Sequence, residues 1–94
     1  MAHMYILECG DGTLYVGSTR DLEFRLAEHQ SGVNCMYTSK RQPVRLLYAE
    51  EFHRIDDAFA REKQVQNWGR AKRLALIAGD NERLKELSRS RIKD

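Results

Sequence analysis

Two short runs near the start of the chain combine apolar residues with types that favour β-strands. Residues 4–8 (MYILE) and 14–18 (LYVGS) are separated by CGDGT, whose Asp-Gly pair suits a tight turn, so the pattern predicts a β-hairpin. A strict two-residue loop would leave Tyr5 and Tyr15 on opposite faces, whereas the five residues of CGDGT place Tyr5 opposite Gly17. We therefore expect the two tyrosines to share one face of the hairpin.

Beyond the hairpin, capping and turn residues divide the chain into one further strand and four helices. The first helix is capped by Ser18, Thr19 or Asp21 and ends at Gly32, and a polar basic loop follows over 33–43. A strand then covers residues 44–52. Three more helices follow, one from Asp56 or Asp57 to Gly69, one over 70–78 and one from Asn81. The order β-β-α-β-α-α-α predicts one α+β domain with a small antiparallel sheet.

Polar side chains interrupt the inward faces of two of these helices. The stripe of the first helix is Leu22, Arg25, Leu26 and His29; that of the next is Ile55, Phe59, Glu62 and Gln66, with Ala58 and Val65 alongside. A cation packed against a sheet costs several kcal/mol unless it is paired or reaches a cleft. Arg25 and His29 therefore indicate a pocket, although a rotated amphipathic helix with a snorkelling arginine would also fit.

Composition and charge narrow the class of protein. The chain has 94 residues, 41% of them hydrophobic and 32% charged, and a net charge of +2, which suits one soluble globular domain. Residues 1–60 carry six Lys/Arg and nine Asp/Glu, whereas residues 61–94 carry ten and five. The basic last third suggests a polyanionic partner, although from charge alone solvated helices are the preferred explanation. Cys9 and Cys35 lack metal-ligand spacing, and no apolar run approaches a membrane span, so we expect a reduced, cytoplasmic protein.

The interrupting residues and the two tyrosines together suit metal-assisted phosphoryl transfer. Glu62 would give an oxygen ligand to Mg²⁺, Arg25 would contact phosphate, and a phenol would orient or deprotonate water. Because the pKa of tyrosine is about 10, only about one phenol in a thousand is ionised at pH 7. Lowering that pKa by two or three units needs about 3–4 kcal/mol, which Arg25 and a metal would have to supply together.

The chain resembles the GIY-YIG nuclease superfamily, most closely its small stand-alone bacterial members. Tyr15-Val16-Gly17 matches the second half of the motif, and His3-Met4-Tyr5 retains the tyrosine of the first half. RDLEFRLAEHQSG matches the helix of the family with Arg25 at the catalytic arginine position, and AFAREKQVQNW matches the later helix with Glu62 at the metal-binding glutamate position. YTSKRQPVRLLYAEEF resembles the linking segment, and the resemblance covers about residues 3–78.

The resemblance implies a phosphodiesterase that depends on Mg²⁺ or Mn²⁺ and cuts DNA, with a three-stranded antiparallel sheet flanked by helices. Residues 1–80 would form the catalytic domain, and residues 81–94 a C-terminal helix and basic tail of the same domain. By position, Tyr5 would be the general base, with Tyr15 as the other candidate. Tyr15 and His29 would tune the base or contact phosphate, Arg25 would bind the scissile phosphate, and Glu62 would hold the metal.

Five basic residues outside this cluster are candidates for contacts to DNA: Lys40, Arg41, Arg70, Lys72 and Arg73. The expected DNA is branched, nicked or otherwise structured, and a protein partner would add selectivity. Two other interpretations remain at this stage. One is a nucleic-acid-binding module with the nuclease fold and little turnover. The other is an interaction domain in which Arg25 and Glu62 form a structural ion pair.

Overall fold

Three antiparallel strands form one sheet with helices packed against it. A computed structural model of the protein describes the backbone of residues 1–93 and the side chains of residues 1–88. The strands are β1 (Ala2–Glu8), β2 (Leu14–Thr19) and β3 (Arg45–Phe52), in the order β2-β1-β3. The helices are α1 (Leu22–Ser31), α2 (Met36–Ser39), α3 (Ile55–Gln66), α4 (Arg70–Ala78) and α5 (Asn81–Lys93). The predicted basic tail lies within α5 as far as Lys93, and Asp94 lies outside the described residues.

The hairpin of β1 and β2 has the register that places both tyrosines on one face. Tyr5 pairs with Gly17, and Leu7 pairs with Tyr15. Since alternate residues of a strand share a face, Tyr5, Leu7 and Tyr15 point the same way. The loop over 9–13 closes with a hydrogen bond from the Cys9 amide to the Thr13 carbonyl at 2.9 Å. The prediction of a shared face is therefore confirmed.

The ends of α1 follow the capping residues of the sequence, and one helix is additional. The predicted ends of α3 are wrong: it begins at Ile55 without a side-chain cap and ends at Gln66, and Gly69 instead precedes α4. Asp21 caps α1 by accepting a hydrogen bond from the Phe24 amide, and Gly32 ends it in the left-handed conformation. The segment 33–43, which we expected to be a loop throughout, contains the short helix α2. The side chain of Gln42 holds this helix against α1 by donating to the carbonyl oxygens of His29 (2.6 Å) and Thr38 (2.9 Å).

The main core lies on the face of the sheet opposite the tyrosines. Its buried residues come from both strands of the hairpin and from α3 and α4: Met4, Ile6, Leu14, Val16, Val65 and Leu76. Trp68 packs against this cluster, as expected for a core anchor. The expectation that Phe59 points inward is wrong, since its side chain is 51% exposed. The buried positions of α3 are Ala58, Glu62 and Val65, which leaves Phe59 on the flank beneath Lys63.

Within residues 1–93, none of the helices is both long enough and apolar enough to cross a membrane.

Candidate active site

A chain of three buried side chains lies on the tyrosine face of the sheet. The hydroxyl of Tyr5 is 2.9 Å from Nε2 of His29, and Nδ1 of the same ring is 2.9 Å from the hydroxyl of Thr38. The exposed fractions are 2% for Tyr5, 1% for His29 and 0% for Thr38. Strand β1, helix α1 and helix α2 each supply one member, so this cluster exists only when the three elements pack together.

The ring of Tyr15 packs against this buried chain and is closer to the protein surface. Its ring centroid lies 5.0 Å from that of His29 and 6.4 Å from that of Tyr5. On its outer side Tyr15 contacts Tyr37 at 5.4 Å, and the guanidinium of Arg41 lies 3.9 Å from the centre of the Tyr37 ring. Since Tyr15 is only half-buried, it is the part of the tyrosine pair nearer to solvent.

Gly17 provides the space that the Tyr5 side chain occupies. A Cβ atom at this position would lie 2.5 Å from the Tyr5 hydroxyl oxygen and 2.6 Å from Cζ of the same ring. Cβ atoms essentially never approach other atoms so closely, and the buried ring has little room to move. The glycine of Tyr15-Val16-Gly17 is therefore required by the side chain across the hairpin.

Replacing Gly17 with alanine should displace Tyr5 and destabilise the protein by about 1–3 kcal/mol, the usual cost of overpacking a core. Thermal unfolding measures the effect, and Gly69→Ala is the matched control. Gly69 has open space around its Cβ position and a φ of −74°, so alanine meets no clash there, and only the preference of the α4 N-cap for glycine over alanine should be lost, at a cost of about 0.5–1 kcal/mol. Equal stabilities of the two variants would show that the Tyr5 ring yields without cost.

Arg25 lies at the edge of the tyrosine cluster and is half-buried. Its guanidinium donates to the carboxylate of Glu28 at 3.0 Å and to the carbonyl oxygen of Asn34 at 3.5 Å. Burial raises the pKa of both Tyr5 and Tyr15, and the positive charge of Arg25 opposes that rise at both residues. The hypothesis of a structural Arg25–Glu62 ion pair is wrong, because Glu28 on the same helix turn is the partner of Arg25.

Glu62 lies on α3 beside strand β2 and is held by two hydrogen bonds. The Ser18 hydroxyl donates to one carboxylate oxygen at 2.5 Å, and the Gln66 amide donates to the other at 2.7 Å. Gln66 also donates to the Val16 carbonyl at 3.2 Å, so strand β2 fixes the carboxylate from both sides. The carboxylate raises the pKa of Tyr15 whereas Arg25 lowers it, although burial is the largest cause of that raised pKa.

Burial keeps both members of the Tyr5–His29 pair neutral. It raises the pKa of Tyr5 to about 12, and the neighbouring Tyr15 adds to the rise while Arg25 opposes it. Burial, together with the smaller effect of the Arg25 charge, lowers the pKa of His29 to about 4. The expected lowering by Arg25 is present, but burial outweighs it in the protein without metal. At pH 7 the pair is therefore a phenol beside an uncharged imidazole.

The site can now be compared with known proteins. A family model described as the GIY-YIG catalytic domain matches residues 1–75 of the chain.

The chain belongs to the GIY-YIG family.

The family resemblance inferred from sequence motifs is thereby confirmed, and membership indicates a nuclease-type role with DNA as the substrate class. A UPF0213 protein of Halobacterium salinarum is 42% identical over 77 residues, which cover 82% of this chain and 100% of that protein. A UPF0213 protein of Streptococcus sanguinis is 46% identical over 76 residues, which cover 81% of this chain and 87% of that protein. This GIY-YIG chain is thus similar in length and sequence to UPF0213 proteins of both archaea and bacteria.

A solved structure shares the fold of this GIY-YIG chain. The solution NMR structure of a UPF0213 protein from Bacillus halodurans is 36% identical, has a TM-score of 0.55, and covers 94% of this chain and 98% of its own. The expected three-stranded antiparallel sheet with flanking helices is therefore confirmed. The short helix α2 is the addition to the expected order of elements.

The chemistry around Glu62 fits a hard divalent cation of the kind that GIY-YIG nucleases use. A carboxylate offers about four lone-pair positions, and the bonds from Ser18 and Gln66 occupy two of them. Among the described residues there is no group of three or more His, Cys, Asp and Glu side chains that would hold a metal. A Mg²⁺ ion commonly uses one or two carboxylates and completes its shell with water and phosphate, which a single fixed Glu62 can accommodate.

The basic residues selected from the sequence divide into two groups in this GIY-YIG domain. Arg41 lies at the mouth of the site, where it pairs with Asp11 at 3.2 Å, and Lys40 is exposed beside it. Those on α4 contact the protein itself: Arg70 donates to the Gly12 carbonyl, Arg73 donates to the carbonyls of Val65 and Gln66, and Lys72 lies 4.4 Å from the Trp68 ring centre. Lys40 and Arg41 are therefore better placed than the α4 residues for DNA entering the site.

Three residues of the site were not assigned a functional role from the sequence. Thr38 was seen only as part of the loop 33–43, because nothing local indicates that its hydroxyl reaches His29. Ser18 was considered only as a helix cap, and its bond to Glu62 spans 44 positions. Gln66 did appear on the inward stripe of its helix, and that placement was the one available signal for its bond to Glu62 one turn earlier.

Proposed function

We propose that this GIY-YIG protein is a divalent-metal-dependent endonuclease that hydrolyses phosphodiester bonds in DNA. The observation that carries the proposal is that strand β2 carries Tyr15 and also fixes Glu62 through the Ser18 hydroxyl, while the Tyr15 ring packs at 5.0 Å against His29 of the helix that carries Arg25. A phosphate placed against Tyr15 would be near both a cation and a carboxylate suited to metal binding. That arrangement suits phosphodiester hydrolysis, in which negative charge develops on the phosphate.

Each residue of the cluster has a role in this proposal. Arg25 binds the scissile phosphate and stabilises its developing charge. Glu62 would hold Mg²⁺ or Mn²⁺, which when bound supplies further stabilisation of that charge. Tyr5 takes a proton from the attacking water, and His29 supports Tyr5 by accepting a hydrogen bond from it. Tyr15 contacts the phosphate and is the alternative base, because its ring is the more exposed of the two.

A second candidate function is a nucleic-acid-binding module with this fold and little turnover. A pure binder of phosphate has no use for a carboxylate fixed beside it, because like charges repel. The two hydrogen bonds that hold Glu62 in place therefore favour the enzyme over the binding module.

The proposed substrate is branched, nicked or otherwise structured DNA, as arises in repair or recombination in the cytoplasm. A basic domain of this size would bind DNA nonspecifically with a Kd of about 10⁻⁴–10⁻⁶ M. Lys40 and Arg41 would add backbone contacts at the mouth of the site. Such weak binding leaves selectivity to the shape of the DNA or to a protein partner.

Incubation of the purified protein with nicked, branched and linear DNA tests the proposal directly. We expect cleavage with Mg²⁺ or Mn²⁺, strongest on the structured substrates, and none with EDTA. Gel electrophoresis of end-labelled DNA gives the rate and the cut positions. Binding without cleavage of any substrate would support the binding module instead, and cleavage that persists in EDTA would remove the metal from the proposal.

A further inference from the structure

We propose that Thr38 is a positioning residue: it holds His29 as the tautomer with the proton on Nδ1, so that Nε2 accepts the proton of the Tyr5 hydroxyl. The catalytic use of this arrangement rests on the proposed nuclease function, whereas the tautomer is a property of the protein alone. Thr38 lies on the short helix α2, which neither the motifs of the chain nor its helical pattern indicated.

The number of protons on the Tyr5 hydroxyl, the His29 ring and the Thr38 hydroxyl limits how these three groups can be hydrogen-bonded. A neutral imidazole carries one N–H and one acceptor nitrogen, and each hydroxyl carries one proton. The His29 ring contacts a hydroxyl at both nitrogens, Tyr5 at Nε2 and Thr38 at Nδ1, each at 2.9 Å. Only two arrangements of protons satisfy both contacts, and they differ in the direction of every hydrogen bond.

In the first arrangement Thr38 donates to Nδ1, and the N–H at Nε2 donates to the Tyr5 oxygen. The Tyr5 proton then needs another acceptor. The guanidinium of Arg25, whose charge acts on the pKa of Tyr5, has donors only and cannot accept this proton. Tyr5 is 2% exposed, so its proton would remain buried without a partner, an arrangement that proteins avoid.

In the second arrangement Tyr5 donates to Nε2, and the N–H at Nδ1 donates to the Thr38 oxygen. The Thr38 proton has an acceptor of its own, the carbonyl oxygen of Cys35 at 3.5 Å. The Tyr5 oxygen remains free to accept from Arg25. Each of these buried protons then has an acceptor, and the hydrogen bonds run in one direction from Tyr5 through His29 and Thr38 to the backbone.

Helix α2 is held in the position that this arrangement needs. The Gln42 amide donates to the carbonyl oxygens of His29 and Thr38, which ties the backbone of α1 to that of α2. The Thr38 hydroxyl, which belongs to a residue that is 0% exposed, therefore faces the imidazole in a fixed geometry. Because burial keeps the pKa of His29 at about 4, the ring is neutral at pH 7 and its tautomer is well defined.

The tautomer decides where the Tyr5 proton goes during hydrolysis. As the attacking water loses a proton to the Tyr5 oxygen, the original phenol O–H bond breaks and that proton forms a bond to Nε2 of His29. The water becomes the hydroxide that attacks phosphorus, and His29 becomes an imidazolium until it returns the proton. With the proton on Nε2 instead, His29 would have no lone pair facing Tyr5, and this transfer would be blocked.

Two-dimensional ¹⁵N NMR of the imidazole nitrogens in the free protein reads the tautomer directly. We expect His29 of the wild type to show a protonated Nδ1 and an unprotonated Nε2 at pH 7. Thr38→Val keeps the shape but removes the acceptor for Nδ1–H, so each tautomer then leaves one buried donor without a partner and a population of the Nε2–H form should appear beside the Nδ1–H form. Thr38→Ser keeps the hydroxyl and should preserve the wild-type pattern. The exposed His53 is the internal control, whose signals should not change in either variant.

The cleavage rates should follow the tautomer. We expect Thr38→Val to cut DNA about 10–100-fold more slowly, the usual loss when a supporting hydrogen bond to a functional histidine is removed, and Thr38→Ser to recover most of the rate. A wild-type ring with its proton on Nε2, or an unchanged Nδ1–H form in Thr38→Val, would overturn the inference. If Thr38→Val does not fold, the wild-type and Thr38→Ser spectra still decide whether His29 carries its proton on Nδ1.

If the proposed nuclease function is wrong, the cleavage assays and the NMR spectra give a different combination of results. A wild-type protein that cuts no DNA but shows the Nδ1–H tautomer, reduced in Thr38→Val and kept in Thr38→Ser, would retain the positioning role of Thr38 and remove only its use in catalysis.

Discussion

Replacing Glu62 with glutamine should reduce cleavage by about 10²–10⁴-fold, since stabilisation worth several kcal/mol is lost with the bound cation. Glutamine has the shape of glutamate, and its amide can still bond to the Ser18 hydroxyl and to Gln66. What it lacks is the negative charge that attracts a hard cation. The fold should therefore survive while activity does not.

Initial cleavage rates over a range of Mg²⁺ concentrations measure this effect, and thermal unfolding of the same samples reports the fold. Glu82→Gln is the matched control, because Glu82 is an exposed residue in the first turn of α5, away from the site. It should leave the rate and its metal dependence unchanged. A Glu62→Gln variant that cuts DNA at the wild-type rate would show that this carboxylate does not hold the metal.

Replacing Tyr5 with phenylalanine should also cost about 10²–10⁴ in rate, the usual contribution of a general base. The variant keeps the ring against Gly17 and loses only the hydroxyl that contacts His29. Tyr48→Phe is the control, because the Tyr48 hydroxyl bonds to Glu50 at 2.6 Å and takes no part in the cluster. A loss in Tyr15→Phe that exceeds the loss in Tyr5→Phe would assign the base to Tyr15.

The pH dependence of the wild-type rate tests the same step. Since the pKa of Tyr5 is about 12, only about one Tyr5 side chain in 10⁵ is a phenolate at pH 7 before the reaction begins. The proton of Tyr5 therefore has to leave as the proton of water arrives. His29 can accept it only while neutral, and its pKa of about 4 keeps it neutral through pH 5. We therefore expect no loss of rate near pH 6.5, the pKa of an ordinary histidine, and a loss as the pH falls towards 4. A rate that halves near pH 6.5 would exclude transfer to His29.

Local patterns were sufficient to predict much of the fold and of the candidate site. The five residues of CGDGT set the hairpin register, so the shared face of Tyr5 and Tyr15 followed from counting alone. The polar interruptions at His29 and Glu62 were visible because helical periodicity marks which positions turn inward, and both are buried. These predictions succeeded because each depends on residues close together in the sequence.

Other features depended on contacts between distant segments and could not be predicted. The bond between Ser18 and Glu62 and the bond between Tyr5 and His29 span 44 and 24 positions. The raised pKa of Tyr5 is likewise a tertiary effect, because burial by several elements outweighs the charge of Arg25.

The chain by itself thus determined which side chains could act, through the period of its strands and helices and the motifs of the GIY-YIG family. Only the tertiary structure decided how they are connected. It formed α2 within the segment 33–43 and brought the Thr38 hydroxyl to the ring of His29. The physical reason is that strand and helix periods specify the face on which a residue lies, whereas hydrogen-bond partners and burial are specified by the packing of one element against another.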